Sequence, residues 1–389
     1  MRIALVSPYD LAVPGGVNAH VRQLRDQFVA RGHEVAIVGP ASHEISGWPE
    51  QTYVIGRPWP VPASGSVARI AISLRLSGQV KRFLAEHRFD VVHVHEPLMP
   101  VLPILFLRFS SAVNVGTFHA AREGGLRLYS YTRRLLKRWF KKLDGKVAVS
   151  PPAEHLAARY FPGYYNIIPN GIDLSAYVTP VQPFPELRDG RINILFIGRF
   201  EKRKGLKYLL RAYALLQASY PETRLIVVGE GRGRRRYAEA MRAAGYEDVI
   251  FTGRVSEEDK LRYLQSADIF CAPNTGMESQ GYVLLEAMAA GLPVVASNIE
   301  GFAWVVTHGL DGLLFTPKDH GAMAAALAQL IDSPEQRDEI AGNARLRAED
   351  FSWDRIAQRV LSYYERLLYE RALSHATAGG PRELEQTSA

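Results

Sequence analysis

Short apolar, β-branched runs alternate with longer stretches of helical periodicity along the whole chain. In the first half the runs fall at Ile3–Val6, Glu34–Val38, Val91–Val94, Val113–Phe118 and Lys146–Val149. In the second they fall at Ile192–Ile197, Leu225–Val228, Val249–Phe251, Ile269–Cys271, Val294–Ala296 and Leu313–Phe315. Strands that are apolar almost throughout, with helices between them, belong to parallel sheets covered on both faces. Each half opens alike, as strand, glycine-containing loop and helix: Gly15-Gly16 in the first, Gly198 to Gly205 in the second. No sequence repeats at a fixed period, so the likeness is one of architecture. The pattern predicts an α/β chain of two domains. Pro180, Pro183 and Pro185 mark the stretch between them, since proline stiffens a connector and keeps it out of either sheet. The first domain is therefore expected over residues 1–178, a linker over 179–190 and the second domain over 191–352. A strong helix follows over about 353–373. The polar tail 377–389 is expected to be disordered.

Composition narrows the class. At 389 residues and 47% hydrophobic, the chain can build two cores. The single Cys271 excludes a disulfide framework and a cysteine zinc site, and fits a reducing cytosol. Met1 to Val6 is interrupted by Pro8 too early for a signal peptide and reads as a buried first strand. The most apolar run, 97–109, reaches about half a membrane span and contains prolines, so it is not a transmembrane helix.

The net charge of +7, from 47 basic and 40 acidic residues, is modest but unevenly placed. Arg133, Arg134, Lys137, Arg138, Lys141 and Lys142 recur at helical spacing among Leu135, Leu136, Trp139, Phe140 and Leu143. A solvated helix face accounts for such a segment, and so does adsorption of 133–143 to an anionic membrane surface. Nucleic-acid binding is not expected, because no nucleic-acid fold accompanies the charge. Lys81-Arg82 and Arg232 with Arg234 to Arg236 form smaller clusters.

The densest chemistry lies at 274–291. A polar loop presents Glu278, and an apolar helix beginning at about Gly281 carries Glu286. A helix N-terminus offers unpaired N–H groups and partial positive charge to phosphate. Carboxylates beside it accept from hydroxyl groups, so the pair suits a phosphate ester that also bears a sugar. Two solvated acids on an ordinary buried helix would give the same letters. Arg199 and Lys204 follow a buried strand at the sheet edge where open α/β folds bind ligands. They are candidates for a diphosphate, Arg as a fork and Lys as a point charge. Gly15 and Gly16 hold the matching edge of the first domain, where glycine lets backbone approach a phosphate. The run Gly229 to Gly233 lacks dinucleotide-binding spacing and reads as a turn. His93 and His95 alternate on one strand and read as core, without partners that would make a zinc site. No Asp-x-Asp occurs, so no metal site is expected to meet the charge of a leaving diphosphate.

Glu278-x7-Glu286 followed by Ala-Met-Ala resembles the signature of retaining nucleotide-sugar glycosyltransferases of the GT-B architecture, two Rossmann-like domains facing across a cleft. Pro14-Gly-Gly-Val17, His93-Val-His-Glu-Pro97, Thr117-Phe-His119, Ile168-Pro-Asn-Gly-Ile-Asp173 and Gly198-Arg199 to Gly205 continue the likeness through nearly the whole chain, in the family's order. Pro8-Tyr9 and Gly65-Ser-Val-Ala-Arg69 resemble the branch that mannosylates phosphatidylinositol. The resemblance implies a metal-independent transfer of a hexose, mannose from GDP-mannose first, to a membrane lipid at the cytoplasmic face, with no cofactor. It implies that His119 and Glu278 hold the transferred sugar and that Arg199 and Lys204 stabilise the diphosphate. Gly15, Gly16, Val255, Lys260, Gly281, Tyr282, Val283 and Glu286 would complete the donor site, Glu286 at the ribose. Tyr9, Asn18 and Arg69 would meet the acceptor. Retention would proceed by front-face substitution assisted by the leaving phosphate, without an assigned nucleophile. Ala63-Ser64 stands where that branch has Tyr-Asn, Asn18 where it has Gln, and Ala-Ala-Arg-Glu-Gly-Gly follows His119 in place of a Ser/Thr-rich run. These departures touch the acceptor and leave the donor residues intact. The rival readings are a UDP-sugar enzyme of another pathway, a Rossmann dehydrogenase lacking its glycine fingerprint, and a non-catalytic membrane- or nucleic-acid-binding protein.

Overall fold

The computed structural model describes residues 1–63, 66–121, 125, 127–179 and 181–378. Strands β1 (Arg2–Val6), β2 (Glu34–Gly39), β3 (Thr52–Val54), β4 (Pro58–Ala63), β5 (Ser66–Ala71), β6 (Val91–His95), β7 (Val113–Phe118), β8 (Gly145–Ala148) and β9 (Asn166–Ile167) belong to the first half. Seven of them form one parallel sheet in the order β3-β2-β1-β6-β7-β8-β9. The second half contributes β10 (Ile192–Ile197), β11 (Thr223–Val228), β12 (Val249–Gly253), β13 (Ile269–Ala272), β14 (Val294–Ser297) and β15 (Leu313–Phe315). These form a parallel sheet in the order β12-β11-β10-β13-β14-β15. Strand direction along the sheet reverses its order at β1/β6 in one half and at β10/β13 in the other. Such switch points open a crevice beyond the carboxyl ends of the strands.

All eleven expected strands are present, because a run buried on both faces must be apolar at every position. The hairpin β4–β5 was not expected. Pro58, Pro60 and Pro62 alternate along β4, which pairs antiparallel with β5 from Pro58↔Ala71 to Ala63↔Ser66. Period-two proline removes N–H groups from one edge only, which an edge strand tolerates.

Each sheet carries an apolar cluster on both faces. Helix Trp353–Ala378 supplies Trp353, Ile356, Ala357, Val360, Leu361, Tyr363, Tyr364 and Leu367 to one face of the first sheet. It thus braces the first domain from beyond the second. It runs past the expected end at 373 and includes Thr377 and Ala378, placed in the tail by sequence; residues 379–389 lie outside the described residues.

The linker expectation needs correction. Ile168 belongs to the first core, whereas Ile172 already lies in the second with Leu187. The crossover is therefore Pro169-Asn170-Gly171. The proline-rich stretch is pinned to the second domain: Phe184 N donates to Ser266 Oγ (2.9 Å), Arg262 Nε donates to the Gln182 carbonyl (3.0 Å), and Asp189 pairs with Arg224. The return crossover at Phe351-Ser352-Trp353 runs beside the first. Ile172 N donates to the Phe351 carbonyl (2.7 Å) and Trp353 N to the Ile172 carbonyl (3.1 Å). Gly171 is required there, because an added Cβ would stand 2.5 Å from the Trp353 ring.

Candidate active site

The loop after β10 and the loop after β13 meet at the second domain's switch point. Gly205, with φ 73°, lets the first loop lie directly on Pro273, where a Cβ would be 1.8 Å from the Pro273 carbonyl oxygen. Thr275 N donates to the Arg203 carbonyl (2.7 Å), tying the loops together. Lys204 Nζ then sits 2.7 Å from Glu278 Oε1, and Arg203 also pairs with that oxygen. Arg203 Nε reaches Glu201 at 2.7 Å, and Glu201 reaches Arg199 at 2.9 Å. Arg199, Glu201, Arg203, Glu278 and Lys204 thus form one run of alternating charge. Lys204 and Glu278 are largely enclosed, whereas the Arg199 side chain is 69% exposed. Sequence reasoning passed over Arg203, since a basic run does not reveal which guanidinium turns inward. Met277, with φ 57°, holds a left-handed conformation beside Glu278, the kind of local strain that clusters at working sites.

The helix Tyr282–Ala289 starts from Gly281 (φ 77°) without a side-chain cap, so its first N–H groups remain available. Glu286 and Lys260 pair at 2.9 Å, and Lys260 also meets Glu257 at 2.6 Å. Burial works against the Lys260 charge, but Glu286 and Glu257 outweigh it and raise its pKa. Tyr177 lies against Glu286. Its phenol is pushed up by burial and by that carboxylate, as is that of Tyr282. Val255 and Val283 pack half-buried against the second core.

In the first domain, Gly15 and Gly16 are exposed at the start of helix Gly16–Ala30, and an added Cβ at either would meet nothing within 4 Å. His119 follows β7. Glu96 Oε1 accepts from both His119 N and Ala120 N at 2.8 Å and so fixes that loop. Burial raises the Glu96 pKa, and these two bonds oppose the shift. Tyr9 bridges to Ile70, and Asp10 N donates to the Arg69 carbonyl (3.0 Å), which brings Tyr9 and Arg69 together. Asn18 differs from expectation. Its buried amide accepts from Ser7 Oγ (2.7 Å) and donates to the Asp10 carbonyl (2.8 Å) and the Val13 carbonyl (3.3 Å), so it braces the 7–13 loop. Ala63 ends β4; Ser64 and Arg122–Gly124 lie outside the described residues.

His95 does find partners. Its Nδ1 is 2.9 Å from His119 Nε2, and His20, from the Gly16–Ala30 helix, stands 5.3 Å and 5.1 Å from the two rings by centroid. His93 stacks on His95 and is held by Tyr364 and Thr117. Burial lowers His20 to about 4 and His93 to about 3; His95 and His119 are held well below the usual histidine range, by burial and then by neighbouring imidazoles. These rings are neutral at pH 7. Sequence spacing signals the His93/His95 pair but gives no hint of His20, which reaches the site from another element.

The two halves touch through the Glu278 loop. Ser279 Oγ is 2.9 Å from Ser150 Oγ, and Gln280 accepts from Asn170 N (2.8 Å) while its Nε2 donates to the Asn170 carbonyl (3.0 Å). His155 and Glu300 pair at 2.6 Å across the same boundary. A cavity of about 170 Å³ remains, lined by Pro152, His155, Arg159, Met277, Glu278 and Glu300 among others. Ligand pockets commonly run to about 300–1,000 Å³, so this cavity alone holds only part of a nucleotide sugar.

Two parallel sheets facing one another, with the second sheet's switch-point loops meeting at Glu278 on the boundary, are the arrangement of a GT-B glycosyltransferase, and comparison with known proteins agrees. The Glycosyltransferase Family 4 profile matches residues 14–176 and the Glycosyl transferases group 1 profile residues 181–347. A phosphatidyl-myo-inositol mannosyltransferase of Mycobacterium leprae is 36% identical over 94% of this chain and 96% of its own. The protein of that name from Propionibacterium freudenreichii is 35% identical, over 94% of each. Among solved structures, Anabaena HepE in complex with UDP superposes with a TM-score of 0.75 at 20% identity, covering 94% of this chain and all of that one. A Rickettsia africae glycosyltransferase also gives 0.75, at 17% identity over 94% and 98%. The chain belongs to the glycosyl transferases group 1 family and is a glycosyltransferase.

Proposed function

We propose that this enzyme transfers mannose from GDP-mannose to a phosphatidylinositol-type lipid, with retention and without a metal. The observation that carries the reading is the full-length likeness to phosphatidyl-myo-inositol mannosyltransferases. In this reading Lys204, Arg203 and Arg199 meet the diphosphate, and the free N–H groups at Tyr282 add to them. Glu278 accepts from hexose hydroxyls in exchange for part of its contact with Lys204. Glu286 takes the ribose and releases Lys260 toward the base. His119, neutral and fixed through Glu96, contacts the sugar from the opposite domain. Gly15 and Gly16 leave the facing edge open to the phosphates. Tyr9 and Arg69 remain as acceptor contacts, the Arg as the group for a lipid phosphate. Among the described residues no helix is long and apolar enough to cross a membrane, so the lipid is met from the membrane surface, which we place at the cytoplasmic face.

A thermal-shift series with GDP-mannose, GDP, UDP-glucose and UDP tests the donor, because a ligand of the folded state raises its apparent stability. Stabilisation by the GDP pair and radiolabelled mannose transfer to phosphatidylinositol vesicles are expected. Stabilisation by the uridine compounds alone would overturn the donor assignment, and transfer to a soluble acceptor alone would overturn the lipid.

A further inference from the structure

We propose that His20, His95 and His119 form a binding site for a zinc-class divalent cation, and that occupancy withdraws His119 from the hexose and silences the enzyme. One ring nitrogen from each residue lies within 4.8 Å of the others. Three nitrogens bound tetrahedrally at 2.0–2.1 Å from zinc lie about 3.3 Å apart. His95 Nδ1 and His119 Nε2 are already within that span at 2.9 Å, so His20 has the larger adjustment to make. His119 is only partly buried, which gives the ion a way in from the cleft and leaves a coordination position on that side.

Two further observations point to a ligand. His20 Nδ1 is buried without a hydrogen-bond partner, which native interiors seldom tolerate. The surroundings also supply support of the sort that orients metal-bound imidazoles. His93 stacks on His95 at 4.5 Å and is itself held by Tyr364 and Thr117. The Glu96 carboxylate stands directly behind the His119 backbone, where it offsets added positive charge. Three imidazoles and no carboxylate in the set select Zn²⁺, Ni²⁺ or Cu²⁺ and give little hold on Mg²⁺ or Ca²⁺. This ion is unrelated to one that would assist a departing diphosphate. Its inhibitory effect rests on the proposed contact of His119 with the hexose; its binding does not.

The full chain, stripped with a chelator, is titrated with Zn²⁺ by calorimetry and with Co²⁺ while visible absorption is followed. One Zn²⁺ per chain, no heat with Mg²⁺, and the visible bands of a low-coordinate nitrogen site are expected. His20→Phe keeps a ring against Trp353, 5.1 Å away; it should bind Zn²⁺ about tenfold or more weakly, whereas His375→Ala, in the exposed end of the last helix, should bind as the wild type. If His20→Phe lacks a cooperative melt, the wild-type Co²⁺ spectrum decides. Absence of stoichiometric binding, a spectrum of an oxygen-ligated ion, or a folded His20→Phe with full affinity overturns the site. In the transfer assay Zn²⁺ should abolish activity reversibly, with His20→Phe needing about tenfold more. Tight binding with undiminished transfer would leave the site standing and remove His119 from the sugar.

Discussion

At the scale of single residues, the proposed donor site centres on a neutralised carboxylate. Glu278 rests against Lys204 and Arg203, so a phosphate entering beside it competes for cations that are already in place. Lys204→Ala therefore removes the proposed phosphate ligand and also leaves Glu278 with less countercharge in an enclosed position. Arg199→Ala removes only an exposed group paired with Glu201. Both should lower transfer, Lys204→Ala by two or more orders of magnitude, about 3 kcal/mol of charge stabilisation, and Arg199→Ala by less. Steady-state rates in the presence of EDTA check this. Full activity in Lys204→Ala, or wild-type activity lost to EDTA, would contradict the assignment. The buried imidazoles give a second expectation. His20, His93 and His95 are neutral when folded and have ordinary pKa values near 6.5 when unfolded. Below that value the unfolded chain binds more protons, so stability is full above pH about 6.5 and falls as the solution is acidified. The slope approaches about 1.4 kcal/mol per pH unit for each ring. Denaturant melts between pH 7.5 and 5 should show it, and a flat profile would mean the rings are already charged in the fold. Glu278 and Lys204 were legible in the sequence because a loop, a helix start and a strand end announce themselves locally. Arg203, His20 and the internal use of the Asn18 amide were not, because each depends on which way a side chain turns in three dimensions.

At the scale of elements, the strands were readable from their uninterrupted apolar runs, and the prolines of β4 concealed a hairpin. The basic segment shows how helical periodicity can mislead about a partner. Helix Arg127–Phe140 turns Leu136 and Phe140 into the first core, and Leu143 follows them, all less than one-tenth exposed. Its apolar side is therefore committed to the protein and not offered to a membrane. The six cations from Arg133 to Lys142 remain on the surface, beside exposed Tyr131 and Leu135. Attraction to a membrane would then be electrostatic, about 1 kcal/mol per cation near an anionic surface, and would fade with salt. Co-sedimentation with anionic vesicles at low salt is expected for the wild type and lost when Lys137, Arg138, Lys141 and Lys142 become Ser. Equal binding to neutral vesicles would point to apolar insertion instead, and no binding to either would leave the segment as a solvated face.

For the whole molecule, the chain joins the halves through two adjacent crossovers, Pro169–Gly171 and Phe351–Trp353, where any relative movement would hinge. Proline marked 179–190 as the linker, and packing of Phe184 and Leu187 into the second domain moves the connection to Pro169–Gly171. The contacts of Ser279 with Ser150 and of Glu300 with His155 hold the two halves together in a closed arrangement. The free enzyme should therefore sample a wider state in solution, and closure around the donor would exclude water. Small-angle scattering should give a smaller radius of gyration with nucleoside diphosphate than without. Adding two glycines after Gln182 should leave that difference unchanged, and its loss in such a variant would return the hinge to the connector.

The helix Trp353–Ala378 has a further consequence during synthesis. Every strand of the second sheet lies on one continuous stretch of chain, whereas one face of the first sheet has only Val21, Leu24 and Phe28 of helix Gly16–Ala30 to cover it until the ribosome has passed Leu367. The cluster of Ile3, Leu5, Val91 and Val115 stays incomplete through the emergence of the entire other half. The domain translated second is thus the first able to close its core, which reverses the usual amino-to-carboxyl order of vectorial folding.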